Sequence, residues 1–178
     1  MKYVAFLRAI NVGGHTVKMD HLRSLFESMG FANVETFIAS GNVIFESRVK
    51  SGAALEKKIE KQLKTALGYE VKTFIRTLDE VAAVAGFKSF PPKLEQPGDV
   101  LYVGFMSTTS DVTAVKNLDA LADNVNSFRV HEREVYWLRR KSVGESVYSG
   151  GIIEKTLKTP VTFRSSTTVK KILAKYVR

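Results

Sequence analysis

The sequence predicts an α+β protein made of a duplicated ferredoxin-like βαββαβ unit, in which two antiparallel-rich sheets pack together with helices outside. Apolar strands and amphipathic helices alternate in the order β, α, hairpin, α, β over residues 2–76. The order of strand, helix and hairpin then begins again at Asp99. Both opening strands are apolar on both faces, and such strands are covered on both sides. These observations predict two related halves.

The first half opens with a strand, a helix and a hairpin. Tyr3–Leu7 forms an uninterrupted apolar run, which predicts the first strand. Met19–Met29 places its apolar residues on one helical face, and Gly30 is suited to the left-handed stop that ends such a helix. Two β-rich runs, 34–38 and 43–45, flank the pair Gly41-Asn42, and this pattern is typical of a hairpin turn.

The rest of the first half supplies the second helix and the fourth strand. Leucine and isoleucine recur every four residues in Ala54–Leu67, while the lysines of this segment occupy other positions and form a solvated face. Glu70–Arg76 predicts the strand that completes the unit. Thr77 and Glu80 match a capping box, so a short helix is expected to follow and to end near Gly86.

A proline-rich segment, residues 91–98, predicts a linker between the first half (1–90) and a second, divergent half (99–178) with a C-terminal helix. The second half is expected to contain a strand over 99–106, a helix around 112–121, and a hairpin made of 127–130 and 134–138. A short helical turn over 152–158 and a final helix over 167–177 complete the chain.

The composition bounds the possible functions. The 178 residues carry a net charge of +9 and no cysteine, which excludes disulfides, thiolate metal sites and cysteine catalysis. The excess of positive charge lies in the C-terminal part of the sequence, because residues 129–178 contain twelve Lys and Arg but only four Glu. This basic tail would attract an anionic ligand or nucleic acid, although ordinary surface charge explains it equally well. No signal peptide or membrane span is recognisable, so we expect a cytoplasmic protein without a membrane partner.

The loop after the first strand is the main candidate site. In a βαββαβ sheet the third strand lies between the first two, so the end of strand one and the hairpin share an edge. A guanidinium, two amides and a glycine-rich backbone suit a small anionic ligand. The competing interpretation is that the asparagines only hydrogen-bond their own turns while the arginine ties the two loops together. The candidate ligand-binding residues here are Arg8, Asn11, Gly13, Gly14, Ser40, Gly41 and Asn42.

A second candidate lies before the final helix, at Arg164-Ser165-Ser166-Thr167. Unpaired N–H groups at a helix start, beside hydroxyls and an arginine, can bind an anion. The simpler interpretation is that a hydroxyl here caps the helix. Arg164 is therefore added to the candidate ligand-binding residues.

Several phrases of the sequence resemble the bacterial family named domain of unknown function 1697. They are the run from Tyr3 to Gly14, the segment from Met19 to Arg23, the pair Gly30-Phe31 and the run from Thr36 to Val43. A late Thr-x-Arg-Asn-Trp-x-Thr-Val pattern of the family is similar to residues 162–169, with Ser165 and Ser166 in place of Asn and Trp. The resemblance implies paired ferredoxin-like halves and supplies no activity.

Two other classes of function stay open. Nucleic-acid binding is the main alternative, because Phe128, Tyr136 and Trp137 interleave with arginines, although Tyr136 and Trp137 point to opposite faces of one strand. An enzyme acting on an anionic substrate is the other, but no catalytic residue can be assigned. The three histidines lack a metal-binding spacing and no nucleotide-binding motif occurs, so we expect neither a metal nor a cofactor. The oligomeric state is left open.

Overall fold

The computed structural model describes residues 1–11, 13–38 and 41–176. The chain divides into two compact units, residues 1–82 and residues 83–176. Each unit contains one four-stranded sheet in which every neighbouring pair of strands is antiparallel. Within the described residues, no helix combines the length and the apolar character needed to span a bilayer.

Unit 1 is a ferredoxin-like βαββαβ unit with an additional helix. Its sheet has the order β2-β3-β1-β4, so the first strand is central and the second lies at an edge. Its elements are β1 (Lys2–Leu7), α1 (Met19–Ser28), β2 (Ala32–Thr36), β3 (Asn42–Glu46), α2 (Gly52–Leu67), β4 (Thr73–Thr77) and α3 (Leu78–Gly86), the last of which continues into unit 2.

Unit 2 repeats this order, with a sheet arranged β6-β7-β5-β8. The predicted duplicated ferredoxin-like fold is therefore confirmed. Residues 91–98, the predicted linker, contain a short 3₁₀ turn, Pro92–Leu94. That this segment is the boundary between the two halves stays a prediction. The elements are β5 (Val100–Phe105), α4 (Val112–Asp119), β6 (Asn126–His131), β7 (Glu134–Arg139), α5 (Gly150–Leu157), β8 (Thr162–Ser165) and α6 (Ser166–Tyr176).

The core of unit 1 lies between α1, α2 and one face of its sheet. Phe31 and Phe45 form its aromatic centre, with ring centroids 4.5 Å apart. Lys58 joins the layers, because its Nζ donates to the carbonyl of Met29 at 2.7 Å and lies 5.1 Å from the centre of the Phe31 ring. This lysine satisfies a carbonyl at the end of α1 that has no partner within the helix.

The opposite face of each sheet is also buried. In unit 1 it carries Phe6 beside Phe74 and Val4 beside Arg76, all at most 1% exposed. The predicted two-sided burial of the first strand is therefore confirmed. An arginine occupies the matching position in unit 2, where Arg164 lies opposite Val103. The two units thus share a buried arginine in the last strand of the sheet.

The structure differs from the sequence predictions in two places that matter for the site. Thr162–Ser165 forms strand β8, which was not predicted, so Arg164 lies within a strand rather than in a turn before the last helix. Asn42 is the first residue of β3 and pairs with Phe6, so Gly41-Asn42 is not the hairpin turn. Arg164 and Asn42 can each lie in a buried strand because their side chains form hydrogen bonds there.

Candidate functional site

The end of β1 meets two other segments of unit 1 at one edge of the sheet. The N–H of Leu7 donates to the carbonyl of Gly41 at 2.8 Å, and the N–H of Arg8 donates to the carbonyl of Lys72 at 2.9 Å. The predicted approach of the strand end to the hairpin is therefore present. The segment that precedes β4 reaches the same edge, because β4 runs antiparallel to β1.

Gly41 makes the approach of the hairpin possible. Its φ of +78° is in the left-handed region, and a Cβ built on it would lie 2.8 Å from Cγ2 of Ile10 and 3.1 Å from Cβ of Leu7. Both the backbone conformation and the contact distances exclude a larger side chain. The loop after β1 and the hairpin are thus held in direct contact at this residue.

The two predicted amides bind within their own turns in the contacts described. Nδ2 of Asn42 donates to the carbonyl of Phe37 at 2.9 Å, and the Asn42 side chain is fully buried. Oδ1 of Asn11 accepts from the N–H of Val17 at 2.7 Å, which closes the loop between them. These bonds agree with the competing interpretation, in which the asparagines shape the turns. Ser40 lies outside the described residues.

Tyr69 fixes the loop after β1 from the other side. Its hydroxyl donates to the carbonyl of Ile10 at 3.0 Å, and burial raises the pKa of this hydroxyl. The imidazole of His15 stacks on the Tyr69 ring with centroids 3.8 Å apart and planes 20° apart. The loop therefore presents His15 in a defined orientation.

A concave pocket of about 480 Å³ lies beside this loop, between the start of α1 and the end of α2. Its wall contains three basic residues and no carboxylate. Lys18 is the N-cap of α1 and its side chain makes no capping hydrogen bond, so no N-cap side chain satisfies the first N–H groups of the helix. The lining residues are Gly14, His15, Thr16, Val17, Lys18, His21, Ala66, Leu67 and Tyr69. We call this the loop pocket.

The remaining predicted residues occupy different environments. Gly13 and Gly14 are exposed and both have positive φ, and Gly14 lines the loop pocket. Arg8 is half-buried at the strand end. Arg164 belongs to the other unit, is 8% exposed, and donates to the hydroxyl of Thr162 at 2.9 Å and to the carbonyl of Phe163 at 2.8 Å. Burial lowers the pKa of Arg164 to about 10.

Sequence reasoning missed four residues of the loop pocket: His15, Lys18, His21 and Tyr69. The signal for Tyr69 was available in the topology. An antiparallel β4 beside β1 places the residues that precede β4 at the end of β1. The histidines match no metal-binding spacing, and nothing else in the sequence indicates that they line this pocket.

The aromatic residues considered for nucleic-acid binding are buried. Tyr136 and Trp137 are 1% and 5% exposed, so neither presents a face on which a base could stack. The guanidinium of Arg139 lies 5.4 Å from the centre of the Trp137 ring, and Arg140 donates to the carbonyl of Asp123 at 2.8 Å. Both arginines thus have contacts within unit 2. In the described part of the chain, no group of three His, Asp or Glu side chains is placed to hold a metal ion.

The fold defines a duplicated ferredoxin-like α+β protein, and its first unit carries a basic pocket beside the central strand. The family model described as "Protein of unknown function (DUF1697)" matches residues 1–136, so the chain belongs to this family. A solved structure described as the conserved bacterial protein SP0830 from Streptococcus pneumoniae is similar, with a TM-score of 0.73 and 23% sequence identity. The match covers 99% of this chain and 98% of that chain, and at this identity it shows the fold. A comparison with curated proteins finds no match.

Proposed function

We propose that this protein binds a small anionic ligand in the loop pocket of unit 1, through a phosphate or carboxylate group, and that it does so in the cytoplasm. The observation that carries the proposal is the composition of the pocket wall, in which His15, Lys18 and His21 stand without a carboxylate. The groove along α2, by contrast, combines lysines with Glu60 and Glu70.

The backbone supports the same ligand chemistry. The start of α1 carries N–H groups that no N-cap side chain satisfies, and the partial positive charge of a helix N-terminus favours an anion. Gly14 has no side chain to hinder a close approach to the loop, and apart from its chain neighbours no heavy atom of the described residues lies within 4 Å of the position of its missing Cβ. Basic side chains and backbone N–H donors are thus both available to a ligand in the loop pocket.

Arg8 is proposed as a second partner of the anion. It follows the last residue of β1, and a guanidinium offers planar, bidentate hydrogen bonds to an oxyanion. The amides of Asn11 and Asn42 are assigned to the shape of the loop and hairpin, because their described bonds are to backbone groups nearby. The proposal therefore centres on residues 14–21 instead of on the hairpin.

A titration with inorganic phosphate and with acetate, followed by backbone amide NMR, tests this function. Phosphate should shift the resonances of residues 14–21, and Lys18→Gln should weaken its affinity about fivefold through the loss of one charged contact. Lys50→Gln, an exposed lysine outside the pocket, is the matched control and should leave the affinity unchanged. Shifts that miss residues 14–21, or equal losses in both variants, would contradict the proposal.

Arg8→Lys separates the binding role of Arg8 from a structural role. The lysine keeps the charge but loses the bidentate geometry, so phosphate affinity should fall while the Tm changes by only a few degrees. A large fall in Tm with unchanged phosphate affinity would assign Arg8 to the connection between strand and loop.

A further inference from the structure

A second cavity, of about 480 Å³, lies wholly within unit 2. One wall is the face of the sheet that carries Val103 and Tyr136, another is Val169 of α6, and the third is the segment 84–92 that precedes the sheet. This volume is within the range of small-molecule sites, which combine apolar walls with a few polar groups. We call residues 84–92 the strap, and the cavity that they line the strap cavity.

Aromatic contacts hold the strap in place. The ring of Phe87 lies 4.9 Å from the ring of Tyr136, and on its other side it stacks on His131 with centroids 4.2 Å apart and planes 6° apart. The cavity wall also contains Phe90 and Pro91. A strap fixed in this way leaves a preformed cavity with flat aromatic surfaces.

Ser89 gives the cavity wall an unsatisfied polar group. The residue is 4% exposed, and its hydroxyl has no hydrogen-bond partner among the described residues. A buried hydroxyl without a partner lowers the stability of a protein, so such a group needs a reason to persist. A ligand in the cavity that hydrogen-bonds to this hydroxyl would supply the reason.

Charges at the rim define the kind of ligand. The lining contains Lys88 and Lys170 against a single carboxylate, that of Glu95. Lys170 is exposed in the second turn of α6, the helix whose first turn carries no acidic residue. A positive rim above an apolar, aromatic interior is suited to an amphipathic anion.

We propose that the strap cavity is a second binding site, which takes a small aromatic carboxylate or sulfonate with its ring against the half-buried Leu101 and Phe90 and its charge near Lys170. Ser89 hydrogen-bonds to a polar group on the body of this ligand. The site differs from the loop pocket in its chemistry, since the loop pocket offers mainly charge and backbone donors to a small anion. It does not depend on the function proposed for unit 1.

Two related fluorescent probes test this site in the full chain. The anion 8-anilinonaphthalene-1-sulfonate and its uncharged counterpart N-phenyl-1-naphthylamine share a ring system and differ in the sulfonate. We expect saturable binding of the anion, and Lys170→Gln should weaken it about fivefold without affecting the neutral probe. Lys171→Gln is the matched control, because this neighbouring lysine does not line the cavity. Equal effects of the two variants would overturn the proposal.

A filling variant distinguishes the cavity from adventitious surface binding. Ala85→Leu puts a larger side chain into the cavity wall and should abolish binding of both probes, whereas Ala83→Leu, on the exposed side of the same helix, should preserve it. Probe binding that survives Ala85→Leu in a folded variant would refute the site. So would fluorescence that fails to saturate.

Ser89→Ala tests the role of the hydroxyl independently. Because the hydroxyl has no hydrogen-bond partner among the residues that the structure describes, its removal should leave the Tm of the protein without ligand unchanged or raised. Affinity for the anionic probe should fall about threefold, since one hydrogen bond to the ligand is lost. A lowered Tm with unchanged affinity would show that Ser89 has a structural role and would contradict the assignment.

Discussion

Gly41→Ala tests the close contact that builds the loop edge of unit 1. Two costs add at this position. An alanine must adopt the left-handed φ of +78°, and its Cβ would lie 2.8 Å from Cγ2 of Ile10. The first cost is about 1–2 kcal/mol, and the second, as overpacking of a filled site, is about 1–3 kcal/mol.

The free energy of unfolding should therefore fall by about 2–5 kcal/mol. For a chain of this length each kcal/mol corresponds to a Tm change of about 2–4 °C, so a decrease of about 4–20 °C is expected. Thermal unfolding should be followed by far-UV circular dichroism. The single tryptophan, Trp137, lies in unit 2 and does not report directly on unit 1.

Gly68→Ala separates the two costs. Gly68 ends α2 with a nearly identical φ of +82°, but apart from its chain neighbours no heavy atom of the described residues lies within 4 Å of the position of its missing Cβ. The free energy of unfolding of this variant should fall only by the backbone cost, about 1–2 kcal/mol. If Gly41→Ala is no less stable than Gly68→Ala, the loop and hairpin are not held in contact as described, and the reasoning about this edge is wrong.

Two further predictions concern unit 2. Gly104→Ala should destabilise it by about 1–3 kcal/mol, because the new Cβ would lie 2.6 Å from methyl groups of Val135 and Val161; Trp137 fluorescence during denaturation measures the loss. Hydrogen bonds, chiefly from the N–H of Ser142, lower the pKa of Asp99 below its ordinary value of 3.8. As the pH falls, the Asp99 carboxylate is therefore protonated at a higher pH in the unfolded chain than in the folded protein. The stability that Asp99 contributes is lost as the pH falls below 3.8. When Tm is measured as a function of pH, the Asp99→Asn variant should not show this part of the decrease in Tm at low pH.

The alternation of apolar patterns was sufficient to predict the duplicated fold, and particular residues explain where it failed. Strand β8 has four residues, and its β-rich part, Val161-Thr162-Phe163, is only three residues long and lies between Pro160 and Arg164, so it was not recognised as a strand. It is a strand because Val103 and its neighbours in β5 supply an unpaired edge. That requirement is tertiary, and local propensity does not report it.

The meeting of the strand end with the hairpin was predictable from topology, but the side-chain contacts at this edge were not. Topology alone places Arg8 beside the hairpin, whereas the roles of Asn11 and Asn42 depend on which backbone groups lie within reach of their amides. Only coordinates settle such distances. The strap cavity had no sequence signal, because its residues come from the strap, a sheet face and a helix that are separate segments of the chain.

The central position of β1 has a consequence for synthesis of the chain. This strand is synthesised before both of its partners, β3 and β4, and β4 ends at Thr77. At 5–20 residues per second the wait for β4 is about 4–14 s, and throughout this time one edge of a largely apolar strand is unpaired. β5 waits in the same way for β8. Both strands therefore need protection by a chaperone, or by the early helices that follow them, until their last neighbour arrives.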